Sequence, residues 1–269
     1  MCEFKKSRVI SIGEHKIGGD NFTVIAGPCT IENYQDLKTI ALQLKKLGIA
    51  FFRGGAFKMR TSPHSFPGLG KEGLEIIKKV ADETGMLSVS EIISPEDVEL
   101  LTEYVDIIQV GTRSMHNYPL LSKLGKVKNP IILKRGMSST YEEWLLAAEH
   151  ISSGGNENII LCERGIRTFD YTYTRNSLDI SAVPVMKQLT DYPIIIDPSH
   201  SGGRRDLVRP LAWAGAAAGA DGLLLETHFC PDETVCDSQQ TVDLQELELI
   251  LAQLPQLAAL WNKKIPENI

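Results

Sequence analysis

Eight short apolar runs recur along the chain, and their spacing restricts its fold more than any other feature. They are FTVIAG (22–27), AFFRGG (50–55), MLSVSEI (86–92), DIIQVG (106–111), PIILKRG (130–136), NIILCERG (158–165), PIIIDPSH (193–200) and DGLLLETH (221–228). Each is β-branched or Leu-rich and too short for a core helix, as expected of strands buried on both faces of a parallel sheet. Segments of helical period lie between them. In NYQDLKTIALQLKKLG (33–48), Leu37, Ile40, Ala41, Leu44 and Leu47 form one apolar face, and Gly48 supplies a stop. STYEEWLLAAEHI (139–151) opens with Ser139 or Thr140 as N-cap and puts Glu142 and Glu143 in the first turn. RRDLVRPLAWAGAAAGA (204–220) is rich in small residues, which lets a helix lie close to a sheet. The tail after Thr241 reads as a last amphipathic helix.

Eight strand–helix units predict an α/β fold, a (β/α)8 TIM barrel, with an open doubly wound sheet as the alternative. Residues 8–19, RVISIGEHKIGG, precede the first barrel strand. Their alternation and glycines predict a β-hairpin that closes the barrel's N-terminal end. No linker, repeat or low-complexity stretch divides the chain. Residues 1–269 are therefore expected to form a single domain, with 1–20 as a hairpin extension and no separate regulatory domain.

A composition of 43% hydrophobic and 23% charged residues is that of an ordinary globular protein, and 269 residues can bury a large core without covalent staples. The formal net charge of -6 argues against nucleic acid as a partner. No apolar run approaches the roughly 18 residues of a membrane span. The start, MCEFKKSRVI, lacks the apolar centre of a signal peptide. A cytoplasmic location without membrane association is expected. The five cysteines, Cys2, Cys29, Cys162, Cys230 and Cys236, are odd in number and match neither a disulfide framework nor a zinc finger. In a reducing compartment each is a free thiol or a metal ligand.

Nearly every apolar run ends in a charged or metal-capable residue. In a barrel these ends converge on one mouth, where active sites are built. Two sets collect there. Arg53, Lys58, Arg60, Arg113, Lys134 and Arg164 are cations that repel one another unless anions occupy the cleft. Phosphate and carboxylate suit them, and salt bridges to Glu91, Glu163 and Asp197 are the plain alternative. Cys29, His200, Glu226 and Asp237 form the second set. A thiolate, an imidazole and two carboxylates suit a divalent transition ion. His228, Cys230 and Cys236 lie in a loop rather than at a strand end and are left out. His15, His116 and His150 read as surface or packing residues, while His64 follows the cationic loop FRGGAFKMRTSP (52–63) and could line the mouth.

The stretches AGPC (26–29), FRGGAFKMRTSP (52–63), GLG (68–70), SEI (90–92), QVGTR (109–113), LKRGMSST (133–140), CERGIRTF (162–169), DPSHSGGRR (197–205), LLLETH (223–228) and DSQQ (237–240) run from the first strand to the last helix. Together they resemble the 3-deoxy-D-arabino-heptulosonate 7-phosphate (DAHP) synthases. The similarity is greatest to the short type related to 3-deoxy-D-manno-octulosonate 8-phosphate (KDO8P) synthase. The resemblance implies a (β/α)8 barrel that condenses phosphoenolpyruvate with erythrose 4-phosphate, the first step of the shikimate pathway to aromatic amino acids. It implies that Arg53, Lys58, Arg113, Lys134 and Arg164 hold phosphoenolpyruvate, that Gly111 and Thr112 approach it by backbone, and that Arg60, Thr61 and Ser62 grip the aldose phosphate. It maps the metal ligands onto Cys29, His200, Glu226 and Asp237, with Mn, Fe, Zn or Co as the ion. Lys58 is the candidate proton donor and Glu91 the candidate base. A homotetramer or homodimer is the family habit.

Two features choose among relatives. Met-Arg-Thr-Ser at 59–62 stands where KDO8P synthases carry an Asn-Arg-Ser-Ser type segment, and Cys29 stands where the metal-independent ones carry asparagine. Three residues depart from the family pattern. Met59 replaces a proline that would stiffen the loop, Thr112 replaces alanine, and His64 replaces tyrosine. The competing expectations are a KDO8P synthase acting on arabinose 5-phosphate, a non-catalytic sugar-phosphate-binding barrel, and a Schiff-base aldolase.

Overall fold

Alternating isoleucines make the first element. In the computed structural model, which describes residues 4–59, 64, 66–170 and 172–266, strands β1 (Ile10–Ile12) and β2 (His15–Ile17) pair antiparallel with Ile10 opposite Ile17. The period of two puts Ile10, Ile12 and Ile17 on one buried face. The main sheet then begins with β3 (Thr23–Gly27). Helix α1 (Tyr34–Lys46) follows, its first turn capped by the Asn33 side chain on the Asp36 N–H. The chain continues as β4 (Phe51–Arg53), α2 (Lys71–Thr84), β5 (Leu87–Ile92), α3 (Val98–Tyr104), β6 (Ile107–Val110) and α4 (Tyr118–Leu124). Next come β7 (Ile131–Lys134), α5 (Tyr141–Ser152), β8 (Ile159–Glu163), α6 (Ala182–Leu189) and β9 (Ile194–Ile196). The short α7 (Pro198–Gly202), α8 (Arg205–Ala217), β10 (Gly222–Glu226) and α9 (Leu244–Ala259) complete it.

The eight strands β3 to β10 are all parallel, each paired with its neighbour in sequence, and β10 closes the ring on β3. This is the expected (β/α)8 barrel, and every strand falls within its apolar run. The open-sheet alternative would have left two unpaired edges. Two apolar layers hold it. One lies between strands and helices and includes Val24, Phe52, Ile108, Leu133, Leu161, Ile196 and Leu225. The other fills the barrel with Ile25, Phe51, Val89, Ile107, Ile132, Ile160, Ile195 and Leu224. Ile10, Ile12 and Ile17 of the hairpin belong to this inner layer. The hairpin is therefore a plug for the N-terminal end, as its alternation predicted. Burying each isoleucine is worth about 1.5–3 kcal/mol.

The small residues of α8 act as expected. Gly215 faces Ile196 of β9 so closely that a Cβ there would overlap the isoleucine side chain. Trp144 of α5 is wholly buried, and its indole N–H donates to the Leu133 carbonyl at 3.1 Å. None of the described helices is long and apolar enough to cross a membrane.

Candidate active site

Strand parity decides which polar side chains reach the mouth. Phe51, Val89, Ile107, Ile132, Ile195 and Leu224 point into the barrel. Two residues further along the same strands lie Arg53, Glu91, Gln109, Lys134, Asp197 and Glu226, which therefore point inward at the C-terminal end. Arg135 and Glu163 have the opposite parity and engage the helix side. Arg135 donates to Glu163 at 3.0 Å and to Asp179 at 2.8 Å, with its guanidinium 4.4 Å from the centre of the Tyr141 ring. The Tyr141 hydroxyl, which donates to Asp179, is pushed up to about 12 by burial and by that hydrogen bond.

Cys29 lies on the loop after β3 and is buried. Gly55 passes so close to it that a Cβ would come 2.7 Å from the Cys29 carbonyl and 3.0 Å from the Lys58 Cδ. That close passage lets Lys58 fold back, its Nζ 3.1 Å from the Cys29 carbonyl and 2.9 Å from Sγ. The paired glycines of the cationic loop thus serve a contact, not only a turn. Burial opposes the charge on Lys58, but Cys29 and Glu91 outweigh it and hold its ammonium above the usual lysine range.

Asp197 organises the next part. It caps α7, accepting from the His200 N–H at 2.9 Å, and its Oδ2 meets His200 Nδ1 at 2.7 Å. The same oxygen accepts from Lys134 at 2.6 Å. Burial works against the Asp197 charge, yet His200, Lys134 and Arg53 together hold its pKa well below the usual carboxylate range. With Nδ1 taken, His200 turns Nε2 toward Glu226 Oε1 at 3.1 Å. The fully buried Glu226 also accepts from Arg53 at 3.1 Å and from Gln240 Nε2 at 2.5 Å. Its pKa too is held well below normal, burial being outweighed by His200, Arg53 and Lys58. Asp237, with a left-handed φ of 55°, accepts from the Cys29 thiol at 3.0 Å and from Arg175 at 3.3 Å.

One ligand-type atom from each of Cys29, His200, Glu226 and Asp237 lies within 4.8 Å of the other three, although the residues span 208 positions of sequence. These four could hold a metal ion, and their chemistry fits one. The thiol, pushed well up by burial and by Glu226, would lose its proton beside a divalent cation. The imidazole is fixed by a carboxylate on its far nitrogen, the usual outer partner of a metal-binding histidine. His228, Cys230 and Cys236 are not part of the group. His228 Nδ1 instead accepts from the Cys230 N–H at 3.0 Å.

The cations divide. Arg53 and Lys134 pair with Glu226 and Asp197, so the salt-bridge alternative accounts for these two. Glu91 accepts from Gln109 at 2.6 Å and Glu163 binds Arg135 and the Gly165 N–H. Among the described residues no ion pair engages Arg113 or Arg164. Arg113, on the turn after Gly111 and Thr112, is exposed and donates to the Met59 carbonyl at 3.0 Å. Arg164 is 5% exposed and, among the described residues, donates only to the Gly165 carbonyl, at 3.5 Å. Burial, reinforced by Arg175, lowers its pKa despite Asp197. A buried guanidinium in that state favours an incoming anion. Arg60, Thr61 and Ser62 lie outside the described residues, and His64 is an exposed turn residue. Gly111 packs on the Glu91 carboxylate. Sequence reasoning missed Gln240 and Arg175. The signal was the DSQQ stretch, which puts Gln240 one turn after Asp237.

The model of the DAHP synthetase I family matches residues 5–263. A phospho-2-dehydro-3-deoxyheptonate aldolase of Thermotoga maritima is 48% identical over 257 residues, covering 96% of this chain and 76% of that protein. A 2-dehydro-3-deoxyphosphooctonate aldolase of Geobacter sulfurreducens is 35% identical, covering 94% of this chain and 99% of that protein. The crystal structure of the Thermotoga DAHP synthase superposes with a TM-score of 0.93 at 45% identity, over 99% of this chain and 80% of that one. A truncated form of the Thermotoga enzyme gives 0.89 at 44% identity, over 97% and 95%. With the match running from the hairpin to beyond the last helix, the chain belongs to the DAHP synthetase I family.

Proposed function

We propose that this chain is a metal-dependent DAHP synthase, condensing phosphoenolpyruvate with erythrose 4-phosphate to give DAHP and inorganic phosphate in the shikimate pathway. The observation that carries the reading is the meeting of Cys29, His200, Glu226 and Asp237 at the barrel end where Arg53, Lys134 and Arg164 are buried. The 48% identity to the Thermotoga enzyme supports the choice of aldose.

In this reading Arg53, Lys58, Arg113, Lys134 and Arg164 bind the phosphate and carboxylate of phosphoenolpyruvate, beside the Gly111 and Thr112 backbone. Arg60, Thr61 and Ser62 bind the aldose phosphate. C3 of phosphoenolpyruvate attacks the aldehyde carbon. Lys58 protonates the new alkoxide oxygen. Water adds at C2, losing its proton to Glu91 as candidate base, and phosphate leaves with cleavage of the C2–O bond. Held by Cys29, His200, Glu226 and Asp237, a divalent ion would supply Lewis-acid polarisation of the aldehyde oxygen. The cations contribute positioning and charge stabilisation. The reading places the enzyme in the cytoplasm, where thiols such as Cys29 stay reduced, as a homotetramer or homodimer after the family habit.

The test is an assay of phosphate release with erythrose 4-phosphate and with arabinose 5-phosphate, before and after chelation. Erythrose 4-phosphate is expected to be preferred, with activity lost to chelator and restored by Mn, Fe, Zn or Co. A preference for arabinose 5-phosphate would make the chain a KDO8P synthase, and activity that survives chelation would refute the metal role.

A further inference from the structure

Three of the four clustered side chains have partners outside the group that the sequence foreshadows: Asp197 for His200, Arg53 for Glu226 and Lys58 for Cys29. A fourth contact comes from residues with no assigned part. Gln240 is 2% exposed and gives its Nε2 to Glu226 Oε2 at 2.5 Å. Its Oε1 accepts from Arg175 NH1 at 3.2 Å, and the same nitrogen reaches Asp237 Oδ1 at 3.3 Å. The chemistry leaves no ambiguity in the amide's direction. An ionised carboxylate only accepts and a guanidinium only donates, so the Gln240 nitrogen faces Glu226 and the oxygen faces Arg175.

The two residues are themselves anchored. Arg175 and Asn176 donate their backbone N–H groups to Gly202 and Ser201 of α7, the helix that carries His200. Gln240 donates its N–H to the Asp237 carbonyl. We infer that Gln240 and Arg175 are positioning residues for the candidate metal group, forming a clasp that fixes the free oxygens of Glu226 and Asp237. The inference rests on the metal reading above. Glutamine suits the central position because it supplies one donor and one acceptor without charge. A glutamate there would set two carboxylates against each other, and a leucine would remove the contact to Glu226 Oε2 and leave Arg175 with Asp237 alone. Arg175 has a side chain 45% exposed and borders an open polar cavity of about 540 Å³, so its truncation removes little packing.

The test is cobalt(II) binding to the purified chain. It is followed by the thiolate-to-cobalt absorption band of Cys29 and by competition with a chromophoric chelator. Outer partners of metal ligands are worth about 10–100-fold in affinity, and Arg175→Ala and Gln240→Met are each expected to lose that much. Arg175→Lys is expected to recover part of the loss. Because the two act partly through one another, the double variant is expected to lose less than the product of the single losses. Thermal melts show whether each variant folds, and should Gln240→Met fail to fold, Arg175→Ala carries the test. Folded variants that bind cobalt within about twofold of the parent, below the effect of an outer partner, would overturn the clasp alone. A parent chain that binds no cobalt would overturn the metal reading and the clasp with it.

Discussion

Both ends of the barrel bury charge, and they do it in opposite ways. At the N-terminal end the fully buried Asp221 is wrapped by donors: Ser7 Oγ at 2.6 Å, Lys187 at 3.1 Å, the Ile194 N–H at 2.8 Å, and Lys263. One carboxylate there serves two ammonium groups and ties residues before the hairpin to residues beyond α9. At the C-terminal end a thiol, an imidazole and two carboxylates crowd within 4.8 Å of one another, and the nearby Arg164 has no acidic partner among the described residues. The first arrangement is complete within the chain. The second sets metal-ligand groups beside a guanidinium without an acidic partner, an arrangement suited to a cation and an anion from outside the chain. Buried charge at a closed end serves stability, and buried charge at an open end serves binding.

The comparison breaks most readily at Cys29. Cys29→Ala is expected to abolish metal retention and to cut turnover by about a thousandfold, some 4 kcal/mol of transition-state stabilisation. The melting temperature of the metal-free protein should move little, because one buried sulfur is lost while Lys58 keeps the backbone carbonyl of residue 29 and Asp237 keeps Arg175. Metal analysis and a thermal melt of the same sample check both halves. If Cys29→Ala unfolds the protein, the open end is also structural.

Asp221→Ala is the converse experiment. It leaves Lys187 and Lys263 buried without their carboxylate, and breaking a buried pair in this way costs about 3–5 kcal/mol. The loss should be read as a lower midpoint in denaturant. The KM for phosphoenolpyruvate should be unchanged in the fraction that remains folded. A changed KM would mean that the two ends communicate.

Much of this contrast was legible in the residues. The eight runs gave the barrel because parallel strands buried on both faces must be short and apolar. Strand parity would have sorted Lys134, which faces the mouth, from its neighbour Arg135, which faces Tyr141 and Asp179. The cap of α5 was not decidable. Ser139 stands three residues before Glu142 and Thr140 three before Glu143, so both fit a capping box. Tertiary contact settles it, since Ser139 Oγ meets His116 while Thr140 forms the box with Glu143. The metal-type group could be collected from the sequence only through the expected barrel and the resemblance, because no short motif joins Cys29 to Asp237. Arg175 stands in none of the recognised stretches, and Gln240 could be picked out only by its place one turn after Asp237 in DSQQ. A neutral amide carries no charge signal, and its partners lie 14 and 65 positions away.

The smallest effect lies at the closed end, in Lys187. Burial lowers its pKa below the ordinary lysine value of 10.5, and Asp221 recovers only part of that loss. Between the lowered value and 10.5 the unfolded chain binds more protons at this lysine than the folded one. The sign of the linkage is then fixed: the contribution of Lys187 to stability rises with pH across that window and is flat below it. Lys187→Met removes this rise. It should also cost less than Asp221→Ala, since Lys263 still pairs with the carboxylate. Denaturant midpoints of parent and variant measured from pH 8 to pH 10.5 check it. The parent's midpoint should rise relative to the variant's across that range. Parallel profiles would mean that Lys263 alone answers the Asp221 charge.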